Sequence, residues 1–141
     1  MYSKFGQFID GRWQSSSNNE TYEVINPATE EIIGKVSKAS TADVDKALKS
    51  AEKGFHVWKN FSPWDRASTI RKIADLIRKK DNELAKWMTL ETGKPLAEGL
   101  AEVSGSADIF EWNAEETKRI YGQTVQSRFK NTRITINYEP V

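Results

Sequence analysis

From residue 40 onward, apolar residues recur at steps of three and four, the period of a helix with one buried face. Val44, Ala47, Leu48, Ala51, Phe55 and Trp58 form the first such stripe. Ser40 or Thr41 can cap this helix, and Asp43 in its first turn complements the dipole. Ser62-Pro63-Trp64-Asp65 marks a second start, with a cap, a proline at the first helical position and an acid three residues beyond the cap. Trp64, Ala67, Ile70, Ile73, Ala74 and Ile77 are its expected buried face. A third helix is expected over 82–92 through Leu84, Trp87 and Met88, ended by Gly93 and barred from resuming by Pro95. A fourth keeps Leu96, Leu100, Val103, Ala107, Phe110, Ala114 and Tyr121 on one side, about seven turns, until Gly122. Gly99 and Gly105 lie inside it, each costing roughly 1 kcal/mol against alanine, a cost that close approach of a backbone or ligand would explain.

Both flanks of the helical run change to the period of strands. Asp10-Gly11 between Phe8-Ile9 and Arg12-Trp13 is a strong hairpin signal. Residues 21–25 run extended into Asn26-Pro27, since the residue before proline is pushed out of helical space, and 32–36 reads as another strand. At the far end Ile134, Ile136 and Tyr138 alternate with Arg133, Thr135 and Asn137, and a polar turn around Lys130-Asn131-Thr132 separates them from Thr124-Val125-Gln126. Strands, then four helices, then a two-stranded arm do not announce a parallel sheet. The strands also supply too little surface for the helices to cover.

Composition narrows the chemistry. The chain has 141 residues, 38% apolar, with five Trp, six Phe and four Tyr; those anchors argue against disorder. Its mean hydropathy of -0.66 is lean for a self-contained core. Lys and Arg number 21 against 20 Asp and Glu, so no basic footprint for nucleic acid exists. No apolar run approaches the roughly 18 residues of a membrane span, and Met1–Gly6 has no signal-peptide core, so a cytoplasmic protein is the expectation. With no cysteine there is no disulfide framework, thiolate nucleophile or cysteine-bound zinc, and His56 is the single imidazole.

Four motifs then become recognisable in order: Phe8-Ile9-Asp10-Gly11-Arg12-Trp13, Ile25-Asn26-Pro27-Ala28-Thr29, Leu90-Glu91-Thr92-Gly93-Lys94-Pro95-Leu96 and Tyr138-Glu139-Pro140-Val141. Together they resemble the amino-terminal portion of the NAD(P)-dependent aldehyde dehydrogenases. Residues 111–122, Glu-Trp-Asn-Ala-Glu-Glu-Thr-Lys-Arg-Ile-Tyr-Gly, look most like the succinate-semialdehyde dehydrogenase branch. The resemblance implies an α/β fold, with residues 1–122, hairpins then four helices, as the amino-terminal layer of a Rossmann-like coenzyme domain. Residues 123–141 would start a β arm for oligomerisation, in a homodimer or homotetramer. It also implies an aldehyde as substrate, NAD or NADP as coenzyme, thiolate attack, hydride transfer and thioester hydrolysis. The nucleophilic cysteine and the coenzyme-cradling glycines of that scheme are not among these residues, so the 141-residue chain alone is expected to be inert. The alternative is a non-catalytic assembly module or a truncated product.

One site of the resembled family maps onto residues present. A structural Na⁺ or K⁺ would take the backbone carbonyls of Val24 and Ile25 and the carboxylate of Glu91, hard oxygen donors suited to such ions. The fourth helix would border the substrate tunnel through Gly105, Ser106, Ile109 and Trp112. Simpler readings stand beside these: Glu91 as an exposed helix-end acid and His56 as a surface residue. Lys94 reads as solvated, because the upstream glycine of a phosphate loop is missing and Pro95 follows. Glu111, Glu115 and Glu116 read as a solvated face partnered along the helix by Lys118 and Arg119.

Overall fold

The computed structural model describes residues 6–140; Val141 of the last motif and Met1–Phe5 of the amino-terminal reading lie outside the described residues. Asp10 and Gly11 adopt φ of 54° and 74°, the left-handed pair a tight hairpin turn demands, and join β1 (Gln7–Ile9) to β2 (Arg12–Gln14) with Phe8 opposite Trp13. A second antiparallel hairpin pairs β3 (Thr21–Ile25) with β4 (Ile32–Ser37), and its register is irregular between Val24 and Ile25. Four helices follow: α1 (Thr41–Trp58), α2 (Pro63–Lys79), α3 (Asp81–Thr92) and α4 (Leu96–Glu116). The last hairpin joins β5 (Gln123–Gln126) to β6 (Arg133–Ile136), with Val125 opposite Ile134. The expected terminal strand therefore has a partner, and all strand pairing among the described residues is antiparallel.

The helix starts follow their caps. Ser40 accepts from the Asp43 N–H at 3.2 Å while the Asp43 carboxylate accepts from the Ser40 N–H at 3.0 Å, a reciprocal capping box. Ser62 accepts from the Asp65 N–H at 3.1 Å, with Pro63 at the first position of α2. Gly93, at φ 73°, closes α3 in the left-handed conformation. Helix α4 stops at Glu116 instead of continuing to Tyr121; residues Thr117–Arg119 tighten into a 3₁₀ turn that lets the chain leave the bundle.

Helices α2, α3 and α4 form the packed part of the molecule, with α4 against both others. Their shared core is built from Ala67, Ala74, Ala85, Val103, Ala107 and Ala114. Small side chains permit close helix approach, and Gly99 shows how close: a Cβ there would stand 3.0 Å from the Ala85 carbonyl oxygen and 3.3 Å from Thr89 Oγ1. Gly105 differs, since a Cβ there meets nothing within 4 Å. Its expected close neighbour is not among the described residues.

Two expectations about burial fail. Trp64 is 69% exposed, and the stripe on α1 lies largely bare, with Leu48 63% exposed. Among the described elements α1 packs more than marginally against β1 alone. The surface totals 10888 Å², whereas a free-standing monomer of this length exposes about 7,400 Å². The difference, about 3,500 Å², is surface that these residues leave uncovered among themselves.

Candidate functional site

The β3–β4 turn is organised by Asn26, which is buried. Its N–H donates to the Glu31 carbonyl at 2.9 Å, its carbonyl accepts from the Glu30 N–H at 2.8 Å, and its Oδ1 accepts from the Ala28 N–H at 2.9 Å. This side-chain turn presets Pro27 and Ala28 and holds Glu30 at φ 60°. The α3–α4 corner sits directly on it: a Cβ on Gly93 would be 3.1 Å from Pro27 Cγ and 3.2 Å from the Ala28 nitrogen. The α3–α4 corner at Gly93 is thus seated on the Pro27–Ala28 turn, two residues on in each segment from Glu91 and Ile25 of the expected cation site. The pairing of β3 with β4 shifts register between Val24 and Ile25, the two residues whose carbonyls the expected site would use. No group of three or more His, Cys, Asp or Glu suited to a metal occurs among the described residues, so any ion here would depend on backbone carbonyls.

The four residues expected to border a substrate path fall on a single side of α4. At about 100° per residue, Gly105, Ile109 and Trp112 lie within one narrow stripe, with Ser106 at its flank, opposite Val103, Ala107 and Ala114 in the core. The stripe is open: Ile109 is 64% and Trp112 68% exposed. Ser106 donates to the Glu102 carbonyl at 2.8 Å and so turns its hydroxyl back onto its own helix. Beside Trp112 a cavity of about 450 Å³ is lined by Asp108, Glu111, Glu115 and Arg119. The face is apolar along its centre and acidic along one edge.

The acids of α4 are partnered more widely than intrahelical spacing suggests. Lys118 and Arg119 meet Glu115 and Glu116 at 2.6 and 2.5 Å, as expected. Glu115 also pairs with Arg71, and Arg78 of α2 bridges Asp108 and Glu111, each at 2.8 Å. Hydrogen bonding to Glu111, then to Asp108, raises the Arg78 guanidinium above its ordinary value, and Glu116 does the same for Arg119. Lys94, expected to be solvated, is instead half-buried and paired with Glu102 of α4. His56 is exposed on α1.

One buried cluster leaves little trace in the sequence. Asp43 is 3% exposed and accepts from Ser16 Oγ at 3.0 Å, the Ser17 N–H at 3.0 Å and Ser40 Oγ at 2.9 Å, in addition to the Ser40 N–H. The Ser40 and Ser17 N–H groups, helped by the Ser40 and Ser16 hydroxyls, hold the carboxyl well below the usual carboxylate range, against the opposing effect of burial. The Ser-x-x-Asp spacing was visible as a capping box; that a serine loop twenty-six residues earlier would join it was not.

A dinucleotide needs a strand–turn–helix unit with a glycine-rich turn. The described residues offer only antiparallel hairpins and no such cradle, so they do not fit the coenzyme by themselves. No helix among the described residues is long and apolar enough to cross a membrane.

Residues 13–141 match the aldehyde dehydrogenase family. Glutarate-semialdehyde dehydrogenase of Pseudomonas aeruginosa is 39% identical over 134 residues, covering 95% of this chain and 28% of that protein. The NADP(+)-linked succinate-semialdehyde dehydrogenase of Escherichia coli is 35% identical, over 94% of this chain and 28% of its own length. Betaine aldehyde dehydrogenase of Staphylococcus aureus, solved with NAD+, superposes with a TM-score of 0.90 at 32% identity, covering 97% of this chain and 28% of that one. The chain therefore spans little more than a quarter of the length of these relatives.

Proposed function

The chain belongs to the aldehyde dehydrogenase family, and from that premise we propose that it is the amino-terminal portion of an enzyme oxidising an aldehyde to a carboxylic acid with NAD or NADP. A semialdehyde bearing a terminal carboxylate, succinic semialdehyde or its one-carbon-longer homologue, is the substrate class. The observation that carries this reading is the continuity of the likeness: hairpins, helices and arm superpose together over 97% of the chain. Relatives named for glutarate and succinate semialdehyde support the substrate class.

Within that reading, residues 1–122 form a covering layer of the coenzyme domain, and 123–141 begin an arm that joins subunits into a homodimer or homotetramer. Val24, Ile25 and Glu91 hold a structural Na⁺ or K⁺ at the junction of the Asn26-Pro27 turn and the α3–α4 corner. Gly105, Ser106, Ile109 and Trp112 border the path of the aldehyde. Uncharged along its centre, this face suits the methylene part of a substrate, and a cation for the distal carboxylate has to come from another element. The 141 residues contain no cysteine and so supply no thiolate; by themselves they do not catalyse.

The excess surface favours a second reading, a non-catalytic module that assembles with other subunits. One experiment addresses both. Residues 1–141 are joined to the carboxyl-terminal remainder of the Pseudomonas aeruginosa relative, and NAD(P)H formation is followed with succinic and glutaric semialdehydes. Aldehyde oxidation is expected. A fusion that unfolds cooperatively and oligomerises yet oxidises neither aldehyde overturns the enzymatic reading and leaves assembly.

A further inference from the structure

The β3–β4 hairpin is gripped at both ends. At its base, the loop before β3 and the residue that caps α1 are tied to one carboxylate: Asp43 takes Ser16 Oγ, the Ser17 N–H, the Ser40 N–H and Ser40 Oγ, all within 3.0 Å. The Ser17 and Ser40 hydroxyls lie 2.7 Å apart, and the Lys38 N–H donates to the Glu20 carbonyl at 2.8 Å, so the two strands leave this knot side by side. At its tip, the Asn26-Pro27-Ala28 turn meets Gly93 at the α3–α4 corner, where a Cβ would already be 3.1 Å from Pro27 Cγ. Between these points α1 packs lightly: among the described elements only β1 meets it more than marginally, and its carboxyl end is joined to α2 by the short segment 59–62.

From this arrangement we propose that the β3–β4 hairpin is a strut that sets the position of α1 relative to the α2–α4 bundle, with Asp43 and Gly93 as its two fastenings. The Asp43 end is a directional clamp, because four donors from two chain segments converge on one buried carboxylate. The Gly93 end is steric: its φ of 73° and the absence of a side chain let the turn seat against the corner. Loosening either end lets α1 swing about its short connection to α2, residues 59–62, while the alanine core of α2–α4 stays intact. The bare stripe of α1 is thereby presented at a fixed attitude to whatever covers it.

The absence of cysteine makes the test clean. Spin labels at Lys53→Cys on α1 and Lys86→Cys on α3 report the spread of distances between the two bodies in the intact chain, while hydrogen exchange reports each element. Asp43→Asn is expected to widen the distance distribution at least about twofold and to speed exchange over residues 15–37 about tenfold or more, with α2–α4 unchanged. Gly93→Ala is expected to widen the same distribution from the other end, Ser17→Ala to do so mildly, and Lys49→Ala, an exposed α1 residue away from the clamp, not at all. If residues 15–37 lose protection and the distances do not spread, something else holds α1 and the strut is refuted. Loss of protection in α2–α4 together with the hairpin refutes it equally, since the bodies then unfold as one unit. Should Asp43→Asn fail to fold, Ser17→Ala and Gly93→Ala decide the matter by the same criteria.

Discussion

Alanine at Gly99 and alanine at Gly105 should move stability in opposite directions, although both replace a glycine inside α4. In each case the helix gains roughly 0.8–1 kcal/mol from the stiffer residue. At Gly105 nothing stands within 4 Å of the new methyl group, so that gain is the whole effect. At Gly99 the methyl meets the Ala85 carbonyl oxygen at 3.0 Å and Thr89 Oγ1 at 3.3 Å. The first of these is backbone and cannot rotate away, so α3 must shift outward; such overpacking costs about 1–3 kcal/mol. The net expectation is a loss of about 1 kcal/mol at Gly99 against a gain of nearly 1 kcal/mol at Gly105. Urea titration followed by helical circular dichroism reads this directly. With a slope of about 1.5 kcal/mol/M, the two midpoints should lie about 1 M apart, on either side of the parent, with unchanged slopes. If both variants gain equally, the α3–α4 approach argued from Gly99 is wrong. Destabilisation by Gly105→Ala would show instead that another segment presses on the open face of α4.

Three further outcomes are expected. Glu30→Gly relieves a left-handed residue at φ 60° and should raise stability by about 0.5–1 kcal/mol in the same titration. Because the Asp43 carboxyl is held below its ordinary range when folded, its contribution is fully present above about pH 4 and is lost only as pH falls through the lowered folded value. Asp43→Asn should therefore narrow the stability gap to the parent only in strongly acidic solution, which a pH series of urea midpoints measures. Arg78→Met removes the bridge to Asp108 and Glu111; its destabilisation should shrink steadily as salt is added, because these groups are solvent-accessible.

Local rules were legible residue by residue. Asp10-Gly11 announced the first hairpin, Ser62-Pro63 the start of α2, and Gly93 the end of α3, because turns and caps depend on the conformational limits of a few neighbouring residues. The end of α4 was less so: Gly122 looked like its stop, but the chain leaves the helix after Glu116 through a 3₁₀ turn, where Lys118 and Arg119 fold back onto Glu115 and Glu116. Periodicity also named the apolar stripes of α1 and α2 correctly as stripes while giving no information on what covers them, which is why Trp64 and Leu48 were expected inside and lie outside. Of the candidate sites, the stripe of Gly105, Ile109 and Trp112 follows from helical spacing alone. The meeting of the Asn26-Pro27 turn with Gly93 does not.

By itself, then, the chain's order of residues determined its elements, its caps and, through four ordered motifs, its membership of the aldehyde dehydrogenases. Only the tertiary structure decided which distant segments touch: Ser16 and Ser17 with Asp43, Pro27 with Gly93, and Arg78 with Asp108 and Glu111. The reason is physical. Caps and turns are satisfied by hydrogen bonds within a few residues, whereas buried carboxylates, cross-helix ion pairs and glycine contacts depend on distances that exist only after the helices have packed.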